Sequence, residues 1–273
     1  MLTEFNLSYR FYSRIIIAAY LLNLNTSSIG APIDFILNGL NQKNTTGNIM
    51  NDDKERMANN SITPFEISIS EEQLDDLKLR LHQTRLPDQL ENISWEYGTD
   101  LGYMREILDY WQNEFDWRAQ ERKLNQFSHF KTDIDGLTMH FIHERSANPN
   151  AIPLMIVHGW PGSISEFTEI INPLTDPLAH SGDLNDSFHI IAPSLPGFGF
   201  SGLPSKPYGP RKIAKVMNKL MINDLKYKKY IAQGGDWGAT ICNWLGYDHS
   251  ANCKAIHINC LTMRHPKGAI NKK

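Results

Sequence analysis

Residues Tyr230-Ile231-Ala232-Gln233-Gly234-Gly235-Asp236-Trp237-Gly238-Ala239 constrain the fold more than any other stretch of the chain. A short apolar run leads into a glycine-flanked turn, and a helical pattern follows. That order has the form of a nucleophile elbow, G-x-S-x-G, with aspartate in the place of serine. Gly234, Gly235 and Gly238 have a physical reason to be small. In so tight a turn, side chains beside the apex collide with the following helix, and the apex backbone is strained. The turn would lift Asp236 above the end of a sheet, at a helix N-terminus whose N–H groups favour a carboxylate. The same residues also suit a plain Gly-Asp turn or a helix N-cap, where aspartate is common.

Aspartate in place of serine changes the chemistry. A serine needs a base to deprotonate it. A carboxylate, with a reference pKa of about 4, is ionised at neutral pH. It can attack an electrophilic carbon directly and form an alkyl ester. Suitable electrophiles are the strained carbons of an epoxide or a carbon bearing halide.

A second segment complements the first. Residues 154–157 are a continuous apolar run, as in a buried parallel strand, and His158-Gly159-Trp160-Pro161-Gly162-Ser163 follows directly. In an elbow architecture, the loop after such a strand gives one oxyanion-hole N–H and the residue after the nucleophile gives the other. Here these are the main-chain N–H groups of Trp160 and Trp237. They would stabilise the oxyanion formed when water attacks the ester carbonyl, and such donors contribute about 3–4 kcal/mol each. The alternative is a plain Gly-Pro turn. His158 reads as shaping this loop, not as a base. A third segment, residues 192–202 (APSLPGFGFSG), is a long structured loop after a strand. Phe198 and Phe200 either line an apolar pocket or pack, and packing is the preferred reading. The loop lacks the Lys-Ser/Thr ending of a phosphate loop.

The remaining chain supplies a frame for these segments. Residues 130–134 and 137–143 flank Asp135-Gly136, a hairpin signal. Residues 189–192, 230–232 and 255–258 read as buried strands. Ile213, Val216, Met217, Leu220 and Met221 recur at helical spacing. Strands alternating with helices imply a mostly parallel sheet with helices on both faces, an α/β class, with right-handed crossovers. Further upstream, Ser70-Glu71-Glu72-Gln73 is a capping box, and Leu74, Leu77 and Leu81 continue the helix until Pro87. Leu101, Met104, Ile107, Leu108, Trp111 and Phe115 form a second helical stripe, read as a packing face. Residues 41–61 are polar and Asn-rich and read as a disordered linker. The apolar run at 15–24, behind Arg10 and Arg14, fits either a targeting or anchoring segment or a poorly ordered leader. It is shorter than the ~20 apolar residues of a membrane span.

A net charge of −3 gives no reason to invoke nucleic acid as a partner. The three cysteines, Cys242, Cys253 and Cys260, match neither a disulfide framework nor a zinc pattern and read as buried free thiols.

Several ordered motifs together resemble a known family. HGWPGS at 158–163, PSLPGFGFSG at 193–202 and GGDWGA at 234–239 look like the motifs of microsomal-type epoxide hydrolases, the juvenile hormone enzymes among them. Residues 64–70, Arg85-Leu86-Pro87-Asp88, Trp95-Glu96-Tyr97-Gly98 and Tyr110-Trp111 resemble that family's N-terminal domain. So do Phe115-Asp116-Trp117-Arg118, Leu124-Asn125-Gln126-Phe127 and Phe130-Lys131. The resemblance spans about residues 63–260. It implies an α/β-hydrolase fold preceded by a helical segment that wraps around the core. It also implies Asp236 as nucleophile, Trp160 and Trp237 as oxyanion-hole positions, and Gly234, Gly235 and Gly238 as elbow glycines. The implied reaction turns a small apolar xenobiotic or lipid epoxide into a vicinal diol without metal or organic cofactor. Some members are anchored to the endoplasmic reticulum through an N-terminal helix. The run at 15–24 matches that loosely, so an endoplasmic-reticulum, secretory or cytoplasmic location stays open, as does the oligomeric state.

The family's cap domain, with two tyrosines that bond the epoxide oxygen, follows the strand resembling 255–259. Its acid and its histidine base come later still. This chain ends at Lys273, and His249, His257 and His265 follow Asp236 too closely to fill the base position. The expectation is an incomplete hydrolase core with little or no turnover. It divides into a leader and linker (1–62), an N-terminal segment with the first strands (63–145) and a partial core (146–273). Two alternatives accompany it: a dehalogenase using the same aspartate chemistry, and a non-catalytic protein built on the truncated fold.

Overall fold

Both faces of a central sheet are buried, and the strands alternate their side chains between the two. The computed structural model describes residues 62–91 and 93–261. The apolar run at 15–24, the linker at 41–61 and His265 lie outside the described residues. The strands are β1 (Thr63–Phe65), β2 (His129–Ile134), β3 (Leu137–Glu144), β4 (Ile152–Val157), β5 (Phe188–Pro193), β6 (Tyr230–Gly234) and β7 (Cys253–Ile258). The helices are α1 (Glu71–His82), α2 (Leu101–Asn113), α3 (Trp117–Leu124), α4 (Ile171–Thr175), α5 (Pro210–Lys219) and α6 (Trp237–Asp248). The sheet order is β1-β2-β3-β5-β4-β6-β7. Strands β5, β4, β6 and β7 run parallel, and β1 to β3 extend the sheet antiparallel. This is the α/β-hydrolase fold.

Period-two alternation assigns each residue to a face. Met155, Val157, Ile191 and Ala232 pack with Val216 and Met217 of α5 and with Ile241, Cys242 and Leu245 of α6. Their neighbours Leu154, Ile156, Ile190, Ala192 and Ile231 pack on the other face with Ile164, Phe167 and Ile171. Burying one such side chain contributes about 1.5–3 kcal/mol, so a one-residue slip of any central strand would be costly. That fixes where each strand ends, and hence where the loops that follow β4 and β6 emerge.

The hairpin between β2 and β3 forms as the sequence indicates. Ile134 pairs with Leu137, and the two turn residues take positive φ, 56° at Asp135 and 77° at Gly136. Asp133 accepts from the Gly136 N–H at 2.8 Å and holds the turn.

Residues 66–126 form a separate compact unit. The capping box at Ser70 is present: the Ser70 hydroxyl accepts from the Gln73 N–H at 3.3 Å, and Gln73 Oε1 accepts from the Ser70 N–H at 3.4 Å. Helix α1 nevertheless stops at His82, short of Pro87: after the Gln83 C-cap the chain tightens, and the Thr84 N–H bonds the Leu81 carbonyl three residues back instead of four. Phe115 also falls outside α2, one residue past the Glu114 C-cap. Asn125 bonds both the N–H and the carbonyl of Ile67, and Glu121 accepts from the Ile69 N–H and from Arg118, tying the start of the unit to α3.

Cys242 and Cys253 are buried free thiols, but Cys260 is exposed, since it lies past the end of β7. No helix among the described residues is long and apolar enough to cross a membrane.

Candidate active site

Strand β6 delivers the chain to the elbow, and α6 carries it away. Asp236 lies between them as the N-cap of α6, with φ 49° and ψ −121°. A residue with a side chain rarely occupies that region, at a cost of about 1–3 kcal/mol. The surrounding glycines make the conformation attainable. A Cβ on Gly234 would strike the Gly238 backbone, and one on Gly238 would strike the Val157 carbonyl. At Gly235 a Cβ would come within 2.5 Å of Asn259 Oδ1. The end of β4, the elbow and the first turn of α6 therefore touch backbone to backbone.

The loop after β4 comes to the same point. The Trp160 N–H donates to Asp236 Oδ1 at 2.8 Å. A Cβ on Gly159 would fall 2.5 Å from Asp236 Cβ and overlap its Oδ1. Trp237 is the first residue of α6, so no carbonyl of its own helix can accept its N–H. The carboxylate is exposed, and so are the two indoles beside it, Trp160 at 61% and Trp237 at 49%. The structure thus brings Asp236, the Trp160 N–H, Trp237 and the three elbow glycines together at one end of the sheet. An ionised carboxylate there faces the positive end of α6 and one main-chain donor, open to a small electrophile.

The histidines fall elsewhere. His158 is buried: its Nε2 accepts from the Leu195 N–H at 3.0 Å, and its Nδ1 lies 3.0 Å from the Gly159 carbonyl. Burial pushes its pKa down to about 4. His249 is the C-cap of α6, at the far end of the 12-residue helix from Asp236. That is roughly 18 Å at the usual rise per residue, too far to act on its carboxylate. His257 sits in β7 opposite Gln233, half-buried. No histidine among the described residues hydrogen-bonds to Asp236. No group of three or more His, Cys, Asp or Glu among the described residues could hold a metal ion.

The two phenylalanines of the 192–202 loop pack. Phe198 lies edge-on to the His158 ring at 5.5 Å, and Phe200 lies against His140 and Phe65 at 5.2 and 5.3 Å. Sequence reading did not single out Gly159, Leu195 or Asn259. A glycine two residues past the strand at 154–157 was a usable signal for the first. A main-chain donor and a side chain approaching from a distant strand leave no such mark.

Known proteins resemble this chain in sequence and in fold. A family model described as the epoxide hydrolase N terminus matches residues 62–167, and one described as the alpha/beta hydrolase fold matches residues 152–272. Epoxide hydrolase 1 of Oryctolagus cuniculus is 41% identical over 208 residues, 74% of this chain and 46% of the relative. The structure of the Aspergillus niger epoxide hydrolase superposes with a TM-score of 0.68 at 38% identity, covering 76% of this chain and 54% of that one. The juvenile hormone epoxide hydrolase of the silkworm Bombyx mori gives 0.67 at 37% identity, covering 74% and 53%. The chain spans about half the length of the curated relatives it matches.

Proposed function

We propose that this chain, which belongs to the microsomal-type epoxide hydrolase family, opens small apolar epoxides with Asp236 as the attacking group. A carboxylate oxygen of Asp236 forms a bond to one epoxide carbon. The carbon–oxygen bond at that carbon breaks with its electron pair on oxygen, and that oxygen takes a proton from solvent water to become a hydroxyl. The product is a β-hydroxyalkyl ester on Asp236. Water then attacks the ester carbonyl, and the Trp160 and Trp237 N–H groups take the oxyanion that develops there. Collapse breaks the bond from the former ester carbon to the alkyl oxygen, which takes one proton of the attacking water while the other passes to solvent, so a vicinal diol leaves and the carboxylate is restored.

The observation that carries this reading is the 2.8 Å hydrogen bond from the Trp160 N–H to Asp236 Oδ1. It puts the main-chain donor on the atom that becomes the ester carbonyl oxygen. The second step needs a base to activate water, and the reading assigns none among the described residues. Ester formation is therefore expected to outrun diol release. The match to the epoxide hydrolase N terminus over residues 62–167 favours an epoxide over a haloalkane as the electrophile.

The test is acid-quenched mass spectrometry after incubation with styrene oxide. The intact mass should rise by the mass of the epoxide, and peptide mapping should place the adduct on Asp236. Asp236→Ala should show no adduct. An adduct elsewhere, or none with a folded protein, overturns the reading. Halide release from a chloroalkane with no epoxide adduct would move the assignment to dehalogenation.

A further inference from the structure

The geometry points to His158 as a positioning residue: a neutral imidazole that clamps the Gly159–Trp160 peptide so that its N–H faces Asp236. This rests on the reading of Asp236 as the attacking group.

Hydrogen-bond donors fix the tautomer. The Leu195 N–H can only donate, so the ring nitrogen that receives it, Nε2, must carry a lone pair. The proton of a neutral ring is then on Nδ1, and Nδ1–H donates to the Gly159 carbonyl at 3.0 Å. A protonated ring would set N–H against N–H at Leu195, and the opposite tautomer would fail at both contacts. Burial holds the ring in the neutral form throughout the physiological range.

Rigidity of the peptide bond carries the effect to the site. The Gly159 carbonyl and the Trp160 N–H belong to one planar unit. Whatever holds the carbonyl oxygen also sets the direction of the N–H on the other side of the plane. That N–H is the one bonded to Asp236 Oδ1.

The other end of the clamp is itself anchored. Ser194, next to Leu195, donates its N–H to the His140 carbonyl at 2.9 Å. Its hydroxyl lies 2.9 Å from His140 Nδ1, and its carbonyl accepts from the Ser201 hydroxyl at 2.8 Å. The Phe198 ring lies edge-on to the imidazole. His158 therefore links a loop fixed on the antiparallel strands to the peptide that faces the carboxylate. It touches no reacting atom.

The experiment has two arms on the full chain. In the unmodified protein, ring nitrogen shifts should show His158 with a protonated Nδ1 and a bare Nε2, unchanged between about pH 5.5 and 8. A protonated Nε2, or a titration midpoint near the usual histidine value, overturns the proposal without any variant having to fold. In the second arm, His158→Ala should speed hydrogen exchange of the Trp160 amide more than that of amides elsewhere in the sheet. It should also slow ester formation on Asp236 by about 10- to 100-fold at an unchanged half-saturating epoxide concentration. His158→Asn keeps a donor near the Nδ1 position and should recover part of the rate, whereas His158→Gln should recover less. A folded His158→Ala that alkylates at the original rate, or whose Trp160 amide is no less protected, overturns the clamp. If the unmodified protein forms no ester, the reading of Asp236 falls, and ring tautomer and amide exchange still decide the role of His158.

Discussion

Replacing Gly238 with alanine tests the backbone contact on which the elbow depends. The new methyl would overlap the Val157 carbonyl oxygen, lie 2.8 Å from Val157 C and 3.0 Å from the His158 oxygen. All three are main-chain atoms where β4 ends, in the middle of the sheet, so none can swing away. Relief requires α6 to back off by about 1 Å, and overpacking of this kind costs about 1–3 kcal/mol. Alanine recovers at most about 1 kcal/mol of helix propensity over glycine. The same change at Gly246, on the same helix, is a matched control. There a Cβ meets only the Ile256 side chain, at 3.4 Å, so propensity should dominate. We expect unfolding free energies from urea titration to separate the two variants by about 2 kcal/mol, with Gly246→Ala at or above the parent and Gly238→Ala below it. The displaced helix also moves Asp236 and the Trp237 N–H away from Trp160. Ester formation should then fall by about 100-fold in Gly238→Ala and stay unchanged in Gly246→Ala. A Gly238→Ala protein as stable as its control, or one that alkylates at the parent rate, would refute the claim that α6 and β4 meet without room for a methyl.

Burial depresses the pKa of three histidines, to about 2 at His140, about 4 at His143 and about 4 at His158. The unfolded chain binds protons that the folded chain refuses, so this stability is complete above about pH 6.5 and lost as pH falls toward about 4 for His143 and His158 and toward about 2 for His140. Urea midpoints should drop between pH 7 and pH 5, and a flat or rising curve would contradict it. Ser70→Ala removes the acceptor for the Gln73 N–H and should cost about 1 kcal/mol, read by chemical denaturation. Tyr230→Phe removes the hydroxyl that donates to Asn218 Oδ1 at 2.9 Å from a buried ring and should cost about 1 kcal/mol by the same measure.

The parts of the fold and site legible in the sequence are those set by local pattern. Apolar runs at 154–157 and 230–232 fall in β4 and β6, Asp135-Gly136 forms its turn, and Ser70 with Gln73 starts α1. The elbow was legible because three glycines around one aspartate have few other steric uses. What was not legible depends on which main chains end up adjacent. Nothing near His158 announces that its partner is the Leu195 N–H, 37 residues on. Asn259 beside Gly235 is likewise a product of β7 pairing with β6. Helix α1 ended before Pro87 because proline marks where a helix cannot continue, not where its last hydrogen bond closes.

The torsion angles at Asp236 have an evolutionary corollary. Glycine occupies φ 49°, ψ −121° without penalty, so Asp236→Gly releases about 1–3 kcal/mol of strain against the loss of the exposed Trp160 hydrogen bond and of chain stiffness, and should yield a protein about as stable as the parent and chemically silent. A library screened only for thermal robustness would therefore have nothing to hold aspartate at this position. Retention of the acid under mutational pressure would itself be a record of selection for reactivity, separable from selection for folding.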